Sequence, residues 1–504
     1  MKNISLESIK KLVPRVKKLK ILLVASEVAP FAKAGGLGAV THSLSLALRE
    51  LGQDARIMMP YYGTIDRKKY KVTDEVKKLK VPTDQIGEDP FLICAVKKYT
   101  GKESVPAYFL ENMEYYEQRA NVYGYADDHI RWILFCRGVL EFLKQSSWKP
   151  DVILSSDWQT GLISNYLKTR YNEDPVLSKI STVFAIHNLQ YQGMCDFKFI
   201  SETERDSGKE AIPDFFNPRL AKLNWLLRGV LNSEMITTVS PTYAKEILTP
   251  EFGEGLHKIF EEKRGVVRGI LNGINQQKNS PELSSLIPFY YTIKNISGKK
   301  DNKRHLQERF GLSEDPSAFL ICMVTRFTEQ KGFDLIGSIG EAVFRNLPIQ
   351  MIVVGDGESR YKELINSLSE YFPEKIKYSF QFDPDIPHLI LSGSDALLMP
   401  SKFEPCGITQ MQAMRYGCIP IVRKTGGLAS TVIDFNEKDS SGFVFDDYEP
   451  MALYTAIVRA NTIFQIKPQW NQLVKRAMGK DFSWENSAKE YLDIFYEALK
   501  KITD

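Results

Sequence analysis

Two cations, Arg326 and Lys331, stand close together in Val324-Thr325-Arg326-Phe327-Thr328-Glu329-Gln330-Lys331-Gly332. The segment continues the apolar run Phe319–Val324, so both leave one strand end. Two cations there can clamp a diphosphate and stabilise it as it departs. A solvated basic loop would carry the same residues. Glu404 lies in Ser401-Lys402-Phe403-Glu404-Pro405-Cys406-Gly407-Ile408-Thr409-Gln410, after the apolar run Ala396–Met399. A carboxylate at a strand end, beside a helix N-terminus, can fix sugar hydroxyls, and the amides of Gly407 and Ile408 face the same place. An exposed loop acid would read alike. Cys406 reads as a small buried hydrophobe.

A third loop, Lys33-Ala34-Gly35-Gly36-Leu37-Gly38, has the glycines that let backbone N–H groups approach a phosphate, with Lys33 as a point charge. A flexible turn with a surface lysine fits equally well. The spacing is neither G-x-G-x-x-G nor a P-loop, which weakens dinucleotide and ATPase readings. His187 and Asn188 follow the strand-like Val183–Ile186, and Asp157-Trp158 follow Val152–Leu154. An acid can bind hydroxyls while a tryptophan ring stacks on a sugar's apolar face. A capping Asp before a core Trp explains the same pair.

Positioning these loops requires strands and helices in alternation. Ile21–Val24 is a short apolar run, and Val40, Leu44, Ala47, Leu48 and Leu51 then fall on one helical face before Gly52. The pattern restarts at Phe319–Val324, with a helix marked by Leu335, Ile339, Ala342 and Val343. Met351–Val354, Ala396–Met399, Ile419–Val422 and Gly442–Phe445 are further strand candidates. Alternation of this kind predicts parallel α/β sheets with crossover helices, in two Rossmann-like domains. The default ligand site is then the cleft between them, at the carboxyl ends of the strands. Residues 276–303, rich in Asn, Ser, Lys and Gly, mark the neighbourhood of the boundary. The predicted division is a basic extension over 1–20, domains over 21–260 and 261–480, and a C-terminal helix over 481–504.

Composition is consistent with this. A chain of 504 residues calls for two domains or three. The net charge of +4 gives no reason to expect nucleic acid or a membrane surface as partner. Six scattered cysteines form no C-x-x-C pair, which argues against a zinc knuckle or disulfide framework and fits a reducing cytoplasm. No apolar run approaches the roughly 20 residues of a membrane span. The basic first twenty residues lack the apolar core of a secretory signal and read as an exposed amphipathic extension, with an organelle address as the other reading.

Taken in order, the segments resemble the bacterial and plant glycogen/starch synthases, a retaining glycosyltransferase family of GT-B fold. The most specific piece is Phe403-Glu404-Pro405-Cys406-Gly407 followed by Gly426-Gly427-Leu428. Lys33–Leu37, Asp157-Trp158, His187-Asn188, Val239-Ser240-Pro241 and Asn272-Gly273-Ile274 support it. The resemblance implies transfer of glucose from ADP-glucose to an α-1,4-glucan, with no metal and no bound cofactor. It implies that Arg326 and Lys331 hold the diphosphate, that Glu404 contacts the glucose and that His187 sits near the reacting sugar. Lys33, Gly35 and Gly36 would meet the donor phosphates and the acceptor side. Tyr125, Asp157 and Asn188 would bind sugar, Phe382 would stack on the base, and Cys406, Gly407, Ile408 and Thr409 would line the donor site. The C-terminal helix would brace the N-terminal domain, and oligomers are open. The chain departs from the family pattern at Ala39, Leu154, Ser156, Asn275, Lys402 and Ser430. These departures leave open UDP-glucose as donor, another acceptor, or a weakly active glucan-binding regulatory homologue.

Overall fold

A computed structural model describes residues 18–85, 90–102, 104–194, 200–381 and 385–503. The basic extension, up to residue 17, and Phe382 lie outside the described residues.

The chain divides into two compact units. The first contains the described residues within 18–185, 191–235 and 491–503. Its strands are β1 (Lys20–Val24), β2 (Asp54–Pro60), β3 (Thr73–Pro82), β4 (Phe91–Tyr99), β5 (Ala107–Glu111), β6 (Val152–Ser156) and β7 (Ser181–Ile186). They follow one another across the sheet in the order β3-β4-β5-β2-β1-β6-β7. The pairs made by β1, β2, β6 and β7 are parallel, whereas β3–β4 and β4–β5 are antiparallel. Strand β1 is buried from Ile21 to Val24, as a parallel strand covered on both faces must be. The helix Gly36–Glu50 buries Val40, Leu44, Ala47 and Leu48, and Gly52, with φ 86°, turns the chain after it.

The second unit contains residues 186–190 and the described residues within 236–490. Strands β8 (Met235–Thr238) and β9 (Val267–Gly269) pair in parallel. Strands β10 (Phe319–Val324), β11 (Ile349–Val354), β12 (Ile376–Ser379), β13 (Ala396–Met399), β14 (Ile419–Arg423) and β15 (Phe443–Phe445) form a wholly parallel sheet in the order β12-β11-β10-β13-β14-β15. Its central strands, β10 and β13, are almost fully buried. These two strands carry the loops with Arg326, Lys331 and Glu404.

The division departs from the sequence expectation in two places. Residues 236–260 belong to the second unit rather than the first. Residues 276–303 are not a boundary, because both flanks lie in one unit. Their polar side chains are engaged: Asn279 Nδ2 donates to the Asn275 carbonyl (2.8 Å), and buried Lys299 donates to the Ser392 and Tyr416 carbonyls (3.1 and 3.0 Å). Tyr291 Oη donates to the Tyr416 carbonyl at 2.8 Å. The C-terminal helix Trp484–Thr503 begins in the second unit, and from Tyr491 onward it belongs to the first.

Candidate functional site

In the second unit the loops after β10 and β13 are locked together through backbone. Phe327 is fully buried, accepts from Glu358 N–H and donates to the Asp356 carbonyl, both at 2.8 Å. That anchor leaves its neighbour Arg326 exposed, with no ion pair among the described residues. Gly332 sits at φ 74°, and a Cβ there would lie 2.1 Å from the Pro400 carbonyl oxygen. Only glycine serves both requirements. Lys402 N–H donates to the Gln330 carbonyl (2.8 Å), and Gln330 Nε2 donates to the Phe403 carbonyl (3.0 Å).

This frame sets Lys331 Nζ 2.6 Å from Glu404 Oε2, with the Ser401 hydroxyl donating to the same oxygen at 3.0 Å. Both side chains are largely buried. Oε1 has no partner among the described residues. Lys331 has further N–H donors beyond the one used here. The pair therefore presents both a donor and an acceptor at the carboxyl ends of β10 and β13.

The Gly426-Gly427-Leu428 motif acquires a reason. A Cβ on Gly426 would stand 2.0 Å from the Glu404 carbonyl oxygen, and one on Gly427 would stand 1.7 Å from that of Cys406. Gly427 N–H donates to the Glu404 carbonyl at 2.9 Å. The glycines exist so that the Glu404–Cys406 backbone can lie directly on them. Gln410, fully buried, donates through Nε2 to the Cys406 and Gly407 carbonyls (3.1 and 3.0 Å). With those carbonyls held and Gly407 at φ 68°, the amides of Gly407 and Ile408 precede the helix Thr409–Arg415 without a protein acceptor among the described residues. They form, with Thr409, a donor set for an anion. Cys406 is buried, and burial pushes its thiol up to about 12, so it is a neutral packing group.

His187 and Asn188 also belong to this unit. Both are half-buried, and the chain beyond them is pinned by Leu189 N–H donating to Tyr243 Oη at 3.1 Å. Asn188 Oδ1 accepts from Gln190 N–H at 3.0 Å, which leaves its NH2 group for a ligand.

In the first unit the glycine loop differs from expectation. Lys33, Ala34, Gly35 and Gly36 are exposed, but the N–H groups of Ala34 and Gly35 point at the carboxylate of Glu27. Gly35 N lies 2.8 Å from Oε2 and 3.1 Å from Oε1, and Glu27 is 2% exposed. An internal carboxylate thus takes the N–H of Gly35, which was expected to meet a phosphate, and Lys33 and Gly36 are the exposed members of the loop whose N–H groups Glu27 does not take. The sequence held no sign of this, because Glu27 reaches the loop by folding back from the end of β1. Nearby, Ser26 Oγ lies 2.8 Å from Tyr123 Oη, and burial, reinforced by the charge of Glu27, holds the Tyr123 phenol above its ordinary range.

Asp157 stands at φ 56°, ψ 179°, a conformation a non-glycine residue adopts only when its surroundings impose it. Trp158 is buried edge-to-face between Trp132 and Trp225, at 6.3 and 6.1 Å, and has no free face for a sugar. Tyr125 is engaged as well: Arg119 and Arg131 lie 4.9 and 4.8 Å from its ring, and its hydroxyl accepts from Asn121 N–H at 2.9 Å. These contacts hold the Asn121–Tyr125 turn, and the half-buried hydroxyl keeps its own O–H to donate.

The departures from the family pattern are accommodated locally. Ser430 Oγ lies 2.8 Å from Thr242 Oγ1, Lys402 pairs with Glu329 at 3.0 Å, and Asn275 Oδ1 accepts from Lys278 N–H at 2.9 Å. Ala39 is half-buried in the Gly36–Glu50 helix.

Residues 20–262 match the family model of the starch synthase catalytic domain, and residues 305–462 match that of glycosyl transferases group 1. A glycogen synthase of Geotalea daltonii is 39% identical over 96% of this chain and 99% of its own. One from Clostridium botulinum is 40% identical over 95% and 99%. Among solved structures, the catalytic domain of starch synthase IV from Arabidopsis thaliana, bound to ADP and acarbose, superposes with a TM-score of 0.82 at 29% identity, covering 96% of this chain and 100% of that one. A sucrose-phosphate synthase from Thermosynechococcus elongatus, at 16% identity and TM-score 0.59, shares the fold. With two α/β units, one on a mainly parallel and one on a wholly parallel sheet, a lysine–glutamate pair at the strand ends and relatives matched along nearly their whole length, the chain belongs to the glycogen/starch synthase family of GT-B glycosyltransferases.

Proposed function

We propose that this chain transfers glucose from ADP-glucose to the non-reducing end of an α-1,4-glucan, with retention at the anomeric carbon and without a metal. The observation that carries the reading is the 2.6 Å Lys331–Glu404 pair beside the exposed Arg326. As the bond from C1 to the diphosphate oxygen breaks, its electron pair stays on the leaving oxygen. Arg326 offers a planar fork to that diphosphate, and Lys331 turns its remaining N–H donors to it while holding Glu404. The Gly407 and Ile408 amides add fixed dipoles. Together they supply the positive charge that a metal ion supplies elsewhere.

Glu404 Oε1 accepts a hydroxyl of the transferred glucose and fixes the ring. His187 and Asn188 stand on the sugar side, and Lys33 and Asp157 are the positions we assign to the glucan. The acceptor hydroxyl attacks from the face the diphosphate leaves, and its proton passes to a diphosphate oxygen. Positioning and exclusion of water, rather than a strong base, carry the rate. The ADP in the Arabidopsis starch synthase IV structure supports the choice of donor. Among the described residues no helix is long and apolar enough to cross a membrane. We assign the enzyme to the cytoplasm on its scattered cysteines.

The test is incorporation of labelled glucose into glycogen by purified protein, from ADP-glucose and from UDP-glucose, each with and without EDTA. Incorporation from ADP-glucose that EDTA leaves unchanged is the expected result. Preference for UDP-glucose, or a rate that EDTA abolishes and magnesium restores, would overturn the donor or the metal-free reading respectively.

A further inference from the structure

A cavity of about 840 Å³ opens in the second unit at the end of the sheet opposite Arg326 and Glu404. Its floor is where β10 and β13 begin, at Pro316, Ser317 and Asp395. Strand β10 has six residues, so the cavity lies about 20 Å from the loops that carry Lys331 and Glu404. The helices Gly298–Phe310 and Lys467–Met478 bring their first turns to its walls.

The charge of this cavity is lopsided. Seven cationic side chains line it against three acids. Two of the lysines have structural work. Lys303 Nζ donates to Asp395 Oδ2 (2.7 Å) and to the Ala318 carbonyl (2.5 Å), while Lys299 is held by three carbonyls. Arg304 lies near Asp301 and Glu314 at 3.4 and 3.9 Å. All three acids are thereby accounted for. Lys294, Lys300, Lys467 and Lys475 remain, and none has a carboxylate partner among the described residues. Lys467 Nζ sits 3.2 Å from the centre of the Phe464 ring. Burial, with the neighbouring charges of Lys303 and Lys300 adding to it, holds Lys467 below the ordinary lysine range, whereas Asp395 acts the other way. Like charges gathered around one concavity repel, and a bound anion relieves that repulsion.

We propose that this cavity is a second ligand site, which binds a phosphate-bearing small molecule rich in hydroxyls, a sugar phosphate in chemical class. Four unpaired ammonium groups suit a phosphate as point charges. Asn295, Ser317 and Asn471 supply polar contacts for hydroxyls. A nucleobase finds no aromatic face to stack on. Trp470 is 4% exposed, lies edge-to-face with Phe319 and Phe464 at 5.5 and 5.3 Å, and stacks on Phe443.

The test is calorimetric titration of the full chain with glucose 1-phosphate and with inorganic phosphate. The donor-side cations also attract phosphate, so the Arg326→Ala/Lys331→Ala variant is titrated beside the wild type. We expect a saturable site for glucose 1-phosphate that survives in that variant. It should weaken roughly tenfold for each lysine removed in Lys300→Ala, Lys467→Ala and Lys475→Ala, with glucosyl transfer in the absence of this ligand unchanged. Binding that vanishes in the donor-side variant and persists in the triple lysine variant would overturn the proposal. A second measurement needs no variant: glucose 1-phosphate should protect Lys300 and Lys467 of the wild type from amine acetylation, read by mass spectrometry. Equal labelling with and without it would overturn the proposal as well.

Discussion

The glycine loop of the first unit and the Glu404–Gln410 loop of the second have the same outline. Each follows a buried strand, carries glycine and leads into a helix. Their amides have different fates. In the first, a carboxylate of the protein itself, Glu27, takes the N–H groups of Ala34 and Gly35. In the second, the carboxylate Glu404 is turned to Lys331, and the amides of Gly407 and Ile408 stay open. Glycine content therefore does not mark the anion site. The mark is whether the fold has already satisfied the amides, and that measure is why we propose the second unit for the leaving group.

The largest effect should come from breaking the open side. Lys331→Ala removes both the phosphate donor and the partner of Glu404, and should lower kcat for transfer by about 10²–10³. Glu404→Gln keeps the shape and one acceptor oxygen, and should lose less. A Lys331→Ala enzyme with wild-type kcat, folded by circular dichroism, would end the assignment of this loop to the leaving group.

Next in size is the closed side. Glu27→Gln keeps one acceptor oxygen but turns an NH2 group towards amides that need acceptors. Loss of charged hydrogen bonds at a buried site costs about 1.5–3 kcal/mol, so the thermal midpoint should fall measurably. Transfer should fall by roughly tenfold as Lys33 loses its frame, since each 1.4 kcal/mol is a factor of ten. An unchanged midpoint would show that Glu27 does not hold the loop, and the contrast between the two loops would collapse.

These two loops also show where the sequence is readable. Strands β10 and β13 were legible because a parallel strand covered on both faces must be apolar throughout, as Phe319–Val324 and Ala396–Met399 are. Strands β3 and β4 were not, because Lys77, Lys78, Lys80, Lys97 and Lys98 line an antiparallel extension that is only partly covered. Gly426-Gly427 was legible as a motif, but its cause, the backbone of Glu404 and Cys406 lying upon it, needs the fold. The polar stretch at 276–303 misled for a physical reason. Its asparagines, serines and lysines are bonded inside one unit, and composition alone cannot tell a buried polar network from a linker. Glu27 gave no signal, since closing a loop by folding back leaves no periodicity.

A smaller effect tests a second internal carboxylate. Glu246 Oε1 accepts from Gly426 N–H at 2.9 Å and from Thr425 Oγ1 at 3.0 Å, behind the glycine pair that supports Glu404. Burial holds its carboxyl above the ordinary range, against those hydrogen bonds, which act the other way. A carboxyl whose folded pKa is raised binds its proton more tightly in the native state. Its contribution to stability is full below the unfolded value of about 4.3 and is lost as pH rises through the folded value. Glu246→Gln has no such loss. The midpoint of the variant should therefore gain on the wild type as pH rises from about 4 to neutrality. A difference that is flat with pH would remove Glu246 from the charged frame of the site.

The smallest effect is expected at Cys406, a buried thiol in the Glu404–Gln410 loop. It is 7% exposed, and with its thiol pushed up to about 12 almost none is thiolate at neutral pH. Cys406→Ala removes a buried sulfur without touching the backbone that rests on Gly427, so the cost should be about 1 kcal/mol of stability. Transfer should stay within roughly threefold of the wild type, because no interaction made only in the transition state is removed. Alkylation of the native enzyme at pH 8, followed by mass spectrometry, should leave Cys406 unmodified until the protein unfolds. Fast labelling of Cys406 with matching loss of transfer would mean that the side chain, and not the backbone alone, reaches the donor, and that the loop is less closed around its glycines than its contacts require.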